Sequence, residues 1–182
     1  MRYLFTTIVA VALALPAAAL AANAPNPNSL ANQSCKTQQT AMALISATTF
    51  KQTYGTNATR SNAFGKCVSK ATATASAAVQ NAAKTCKAQQ ADPNFANAAT
   101  NPNHLTFDAF YGSNGKGNAA DANALGKCVS TLTQQSTNAQ TKADITAAKT
   151  CKTLAANKTA FATTYGSGRN AFGACVSQHA KL

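Results

Sequence analysis

Asn170-Ala171-Phe172-Gly173-Ala174-Cys175-Val176-Ser177 is the stretch whose reading decides the fold. The same phrase stands at residues 62–69, with Lys66 before the cysteine, and at residues 123–130, with Leu125 for the phenylalanine. Upstream of each copy lies an aromatic pair closing on glycine: Phe50 with Tyr54-Gly55, Phe107 with Tyr111-Gly112, and Phe161 with Tyr165-Gly166. Farther upstream comes Cys-Lys, as Cys35-Lys36, Cys86-Lys87 and Cys151-Lys152. One unit therefore reads Cys-Lys, spacer, Phe-x-x-x-Tyr-Gly, spacer, Asn-Ala-Phe/Leu-Gly-x-Cys-Val-Ser. Units at residues 35–69, 86–130 and 151–177 use all six cysteines, two in each.

Residues 68–85 and 129–150, which join one unit to the next, contain neither glycine nor proline and are rich in alanine. Alanine loses no side-chain entropy in a helix, so long helices are expected to link the units, with each unit forming a corner. The pattern predicts helices over residues 30–53, 62–90, 123–156 and 170–181. Asn62 is placed as an N-cap whose side chain accepts from an orphan amide in the first turn. Val68, Thr72, Ala75, Val79, Ala82 and Cys86 recur at spacings of three and four, as an apolar stripe does. Leu125, Val129, Leu132, Ser136, Ala139, Ala143, Ala147, Cys151 and Leu154 form the matching stripe of the next helix. Phe-x-x-x-Tyr sets two rings on one face of a short helix, since positions four apart lie one above the other. Gly65, Gly126 and Gly173 are expected to permit close backbone approach at the start of each returning helix.

In this geometry the two cysteines of a unit sit where one helix leaves a corner and the next returns. Six cysteines allow fifteen pairings. The repeat argues for Cys35 with Cys67, Cys86 with Cys128, and Cys151 with Cys175. The fold expected is all-α: an elongated up-and-down helical bundle with disulfide-stapled corners, over residues 30–182 as one domain. Arg2, an apolar run at residues 3–15 and Ala19-Leu20-Ala21 read as a secretion signal removed after residue 21. Residues 22–29, in which Pro25 and Pro27 stand among small and polar residues, read as a disordered or extended leader. Secretion implies an oxidising compartment, in which paired cysteines are staples and not metal ligands.

Glutamate is absent, and Asp92, Asp108, Asp121 and Asp144 carry all the negative side-chain charge, so the formal net charge is +12, or +11 once Arg2 is removed. Lys36, Lys66, Lys87, Lys127 and Lys152 flank the cysteines, so the corners are expected to be basic and to serve as candidate anion-binding residues. Such clusters attract anionic wall polymers, acidic polysaccharide, an anionic membrane surface or, without specificity, nucleic acid. Four carboxylates, two histidines and no free cysteine are a poor set for catalysis, and no cofactor or metal is implied. A hydrolase would need Asp108 or Asp121 beside His104. Gly-Ser-Asn-Gly-Lys-Gly at residues 112–117 lacks the spacing of a phosphate loop. The second unit also carries an irregular insertion at residues 92–105, and long loops are frequently functional.

The repeated unit resembles those of small secreted alanine-rich bacterial proteins, notably actinobacterial ones, with Cys35-Lys36, Tyr54-Gly55 and residues 62–69 the best match. The third unit departs from the pattern at Ala174, where the others have lysine, and the second by its insertion. The resemblance implies secretion and the repeated unit and carries no activity. The expected function is a secreted, basic, non-catalytic extracellular or envelope-associated protein that binds anionic polymers. A purely structural secreted protein is the alternative. An ice-binding role, suggested by the alanine-threonine run at residues 71–78, is a lesser one.

Overall fold

The computed structural model describes residues 24–112 and 123–181. The secretion signal read at residues 1–21, Asp121 and most of the glycine-rich turn after Gly112 lie outside them. The chain forms α1 (Pro27–Ala43), α2 (Thr49–Tyr54), α3 (Ala63–Ala91), α4 (Phe107–Tyr111), α5 (Ala124–Leu154), α6 (Lys158–Tyr165) and α7 (Ala171–His179), with a 3-10 turn at Phe95–Asn97. No strand occurs among the described residues, and the fold is an all-α bundle. The long helices α1, α3 and α5 pack on one another, and α7 lies against α5 and α2.

Disulfides join Cys35 to Cys67, Cys86 to Cys128 and Cys151 to Cys175, each pair with Cα atoms 5.9–6.0 Å apart, as the repeat predicts. All three aromatic pairs pack tilted against each other within a short helix. Ring centroids are 5.1 Å apart for Phe50 and Tyr54, 5.0 Å for Phe107 and Tyr111, and 4.9 Å for Phe161 and Tyr165. The 29 residues of α3 span about 43 Å at 1.5 Å per residue, so successive corners fall at opposite ends of the bundle. The first and third corners therefore share an end and one core, in which Cys35, Cys67, Phe50, Cys151, Cys175 and Phe172 are buried together. The second corner has its own core, around Cys86, Cys128, Phe95 and Phe107.

Several expectations need correction. The helix expected over residues 30–53 is two helices, broken by a turn in which Ile45 and Ser46 donate to the Met42 carbonyl at 3.1 and 3.2 Å. Lack of glycine or proline did not keep it continuous, because the turn brings Phe50 and Tyr54 back into the core. Pro27, Asn28 and Ser29, expected in the leader, form the first turn of α1. Asn26 caps that turn by accepting from the Asn28 amide at 2.9 Å, and Pro27 occupies the first position, where its missing N–H costs no bond. Asn62 precedes α3 but makes no side-chain cap bond. Its side chain turns back to the preceding loop, as described below.

The stripe read on α5 is right at Val129, Ala147 and Cys151 and wrong in the middle and at its last member. Val129, Ala147 and Cys151 are buried, but Ser136 and Ala139 are exposed, Leu154 is 40% exposed, and Thr133, Thr137, Thr141 and Asp144 face inward instead. Thr137 and Thr141 tolerate this interior because their hydroxyls return to their own helix, Thr137 Oγ1 donating to Thr133 O at 3.0 Å and Thr141 Oγ1 to Thr137 O at 2.8 Å. Thr133 Oγ1, by contrast, is buried without a protein partner. Among the glycines, Gly173 is a close approach, since an added Cβ would lie 2.5 Å from Thr53 O, whereas Gly65 faces open space. Within residues 71–78, Ala75 and Ala78 are buried and Thr72 Oγ1 bonds Asn28 Oδ1 at 3.2 Å, so the run serves largely as a small-residue packing surface.

Candidate functional site

Where the first and third corners meet, a cavity of about 460 Å³ collects Arg60, Lys152, Lys158 and Arg169, and no carboxylate among the described residues lines it. The first corner supplies Arg60 through a tightly closed loop. Gly55 ends α2 where any side chain would collide, since a Cβ there would lie 2.4 Å from Arg60 Cβ and 2.6 Å from Lys51 O. Asn62 closes the loop by accepting from the Thr56 amide at 3.1 Å and donating to Thr56 Oγ1 at 2.8 Å. Inside the loop Arg60 takes φ 56°, a left-handed conformation uncommon for a non-glycine residue. Its guanidinium crosses to the third corner, where Nη2 donates to Arg169 O at 3.0 Å.

The third corner supplies the other three cations. Lys152 lies in the last turn of α5, where a cation complements the carbonyl end of the helix. Lys158 opens α6, which Asn157 caps by accepting from the Ala160 amide at 3.1 Å. Gly166, at φ 86°, ends α6 and leads to Arg169. Phe161 and Phe172, with ring centroids 6.5 Å apart, also line the cavity, and Gln52 adds an amide. Lys152, Lys158 and Arg169 are exposed and Arg60 is half-buried, so the charges face solvent in a concave wall. Like charges so placed reinforce one another's field and favour an anion over any other occupant. The two guanidinium groups supply planar forks suited to oxyanions.

Of the five lysines expected at the corners, only Lys152 lines this basin. Lys36 and Lys66 are exposed on α1 and in the first turn of α3, Lys87 is half-buried at the opposite end, and Lys127 is half-buried in α5. Arg60, Lys158 and Arg169 escaped the sequence reading because they are distant from Cys-Lys. The signal for them was parity: two long helices between the first and third units return the chain to the same end.

A polar groove of about 520 Å³ runs between α1 and α5, lined by Gln33, Thr37, Gln134, Asn138, Lys142 and Lys149 among others. Beneath it lies a buried polar cluster that the apolar stripe did not anticipate. Gln38 Nε2 donates to Asp144 Oδ2 at 3.2 Å, Gln140 Nε2 donates to Asp144 Oδ1 at 3.2 Å, and Tyr54 O–H donates to Gln38 Oε1. Lys70 stands with its ammonium 5.9 Å from the centre of the Tyr54 ring. Burial pushes the Asp144 carboxyl above its ordinary range, with Lys70, Gln140, Tyr54 and Gln38 acting against it, and burial with the Asp144 charge pushes the Tyr54 phenol up. A cavity of about 30 Å³ beside them is the size of a buried water site.

His104 and Asp108 line none of these three cavities. The His104 ring nitrogen Nδ1 lies 3.0 Å from Ala96 O, and Asp108 sits in the first turn of α4. The insertion at residues 92–105 packs as a cap on the second corner. Buried Asn101 knits it by donating to Phe95 O at 3.2 Å and Leu105 O at 2.6 Å, and Phe95 meets Phe107 edge-on at 5.5 Å. His179 lies within 4.8 Å of the Cys151 and Cys175 sulfurs, which are bonded to each other, and its Nε2 is 2.9 Å from Tyr165 Oη.

Compared with protein-family models, curated proteins and solved structures, the chain matches none of them. Three disulfides point to an oxidising environment, and no helix among the described residues is long and apolar enough to cross a membrane.

Proposed function

We propose that this is a secreted, basic, non-catalytic extracellular or envelope-associated protein that binds anionic polymers. The observation that carries the reading is the meeting of Arg60, Lys152, Lys158 and Arg169 in one cavity, with no carboxylate among the described residues that line it. Cations placed only for solubility gain nothing from convergence, because like charges in a shared concavity repel one another. The excess of sixteen lysines and arginines over four acids extends the attraction over the rest of the surface. Anionic wall polymers, acidic polysaccharide and anionic membranes all present suitable partners.

Retention on immobilised heparin, followed by a salt gradient, tests this. A binder that neutralises four charges should lose about three to four decades of affinity per decade of salt, on the scale known for nucleic-acid polyanions. Lys152→Gln/Lys158→Gln/Arg169→Gln should elute much earlier than the parent. Failure to be retained at low salt, or unchanged elution of the triple variant, would leave the protein as a purely structural one.

A further inference from the structure

We propose that the occupant is an anionic glycan, lying along the groove between α1 and α5 and ending in the basin. This extends the anion-binding reading of the basin and rests on it. The continuity comes from α5. Lys149 lines the groove and Lys152 lines the basin, and residues three apart on a helix are surface neighbours with Cβ atoms about 5–6 Å apart. Lys142, also in the groove, lies two turns before Lys149 on nearly the same face. The cations of α5 thus form a line that leads into Lys158, Arg169 and Arg60. From Gln134 to Lys152 this track covers about 27 Å at 1.5 Å per residue, which suits a chain of linked anionic units better than a single anion.

The groove walls define the chemistry between the charges. Gln33, Gln134 and Asn138 are exposed amides, each offering a donor and an acceptor, with Thr37 beside them. Such groups match the hydroxyls of a sugar. No aromatic ring among the described residues lines the groove, and of the basin's two rings Phe172 is buried and only Phe161 is half-exposed, so successive unpaired bases would find no row of stacking platforms along the track. The set therefore favours a polyhydroxylated polyanion over a single-stranded nucleic acid.

The test is calorimetric titration of the oxidised protein with size-fractionated heparin oligosaccharides, inorganic polyphosphate and a single-stranded oligonucleotide. Affinity for the oligosaccharides is expected to rise with length until the chain reaches about 27 Å and then to level off. Lys142→Gln/Lys149→Gln should weaken the long oligosaccharide roughly tenfold and lower the salt slope by about two, leaving the shortest unchanged. Lys84→Gln/Lys87→Gln, which removes the same charge near the second corner, should change neither. The extension is overturned if the groove pair has no effect, if the control pair weakens binding equally, or if oligonucleotide or polyphosphate binds as tightly as a glycan of equal charge. In those cases a loss of binding in Lys152→Gln/Lys158→Gln/Arg169→Gln would still uphold the basin. Absence of salt-sensitive binding to every probe would overturn both readings.

Discussion

Reducing the three disulfides should melt this bundle at ordinary temperature. Alanine is the commonest buried apolar residue, and the larger ones, Phe50, Phe172, Met42 and Val176 at one end and Phe95, Phe107 and Val129 at the other, gather in the two corner cores, leaving the seam between them to small residues. Alanine removes little area from water at about 25 cal/mol per Å², so helix contacts made through it stabilise weakly. The staples close loops with sequence separations of 32, 42 and 24. Chain entropy assigns these about 3.7, 3.9 and 3.4 kcal/mol, together about 11 kcal/mol, against a net stability of about 5–15 kcal/mol for an ordinary domain. Far-ultraviolet circular dichroism with and without a phosphine reductant reads the outcome: most of the helical signal should be lost at 25 °C on reduction. Cys86→Ala/Cys128→Ala, which opens the longest loop, should lower Tm by about 8–16 °C at this chain size. A reduced protein that kept its helix content and melted only a few degrees lower would refute the reasoning, by showing that packing suffices without the staples.

The buried cluster and the tight corners give further expectations. Burial raises the Asp144 carboxyl, so the folded state holds its proton more tightly than the unfolded chain, and stability falls as pH rises from below 3.8 through the folded value. Asp144→Asn removes the titrating group and should flatten that acid-range slope, as urea unfolding across about pH 3 to 7 would read; an unchanged slope would contradict it. Tyr54→Phe leaves the Gln38 carbonyl without its phenol donor and should cost about 1–3 kcal/mol in the same assay, an unchanged midpoint being the contrary result. Gly173→Ala should destabilise, because its Cβ would meet Thr53 O at 2.5 Å, whereas Gly65→Ala, facing open space, should stabilise by up to about 1 kcal/mol through helix propensity. Equal thermal shifts in the two glycine variants would mean that the approach of α7 to α2 is not tight.

The cysteine pairing and the aromatic pairs were legible because each rests on local chemistry written three times, and the two long linking helices because both linkers lack glycine and proline. The buried face of α5 was only partly legible. An apolar stripe places Ala139 inside and Asp144 outside, but Thr137 and Thr141 satisfy their hydroxyls on their own helix, and Asp144 finds Gln38 and Gln140. Gln38 and Tyr54 lie 106 and 90 residues from Asp144, so no local pattern joins them. The basin was half legible: Lys152 stood out beside its cysteine, while Arg60 and Arg169, 109 residues apart, become partners only when the bundle brings alternate corners together. Asn62 was read as a helix cap from its residue type. Its side chain instead closes the loop that holds Arg60, a choice fixed by the loop's geometry.

Mapping a sulfated oligosaccharide onto the backbone amides of the oxidised protein tests most directly the claim that the first and third corners together make an anion site. In a proton–nitrogen correlation titration at low salt, the largest shifts are expected at Arg60, Lys152, Lys158, Gly168 and Arg169, with the second corner around Lys87 and Phe95 unmoved. Shifts centred on that second corner, or spread evenly over all the lysines, would contradict it.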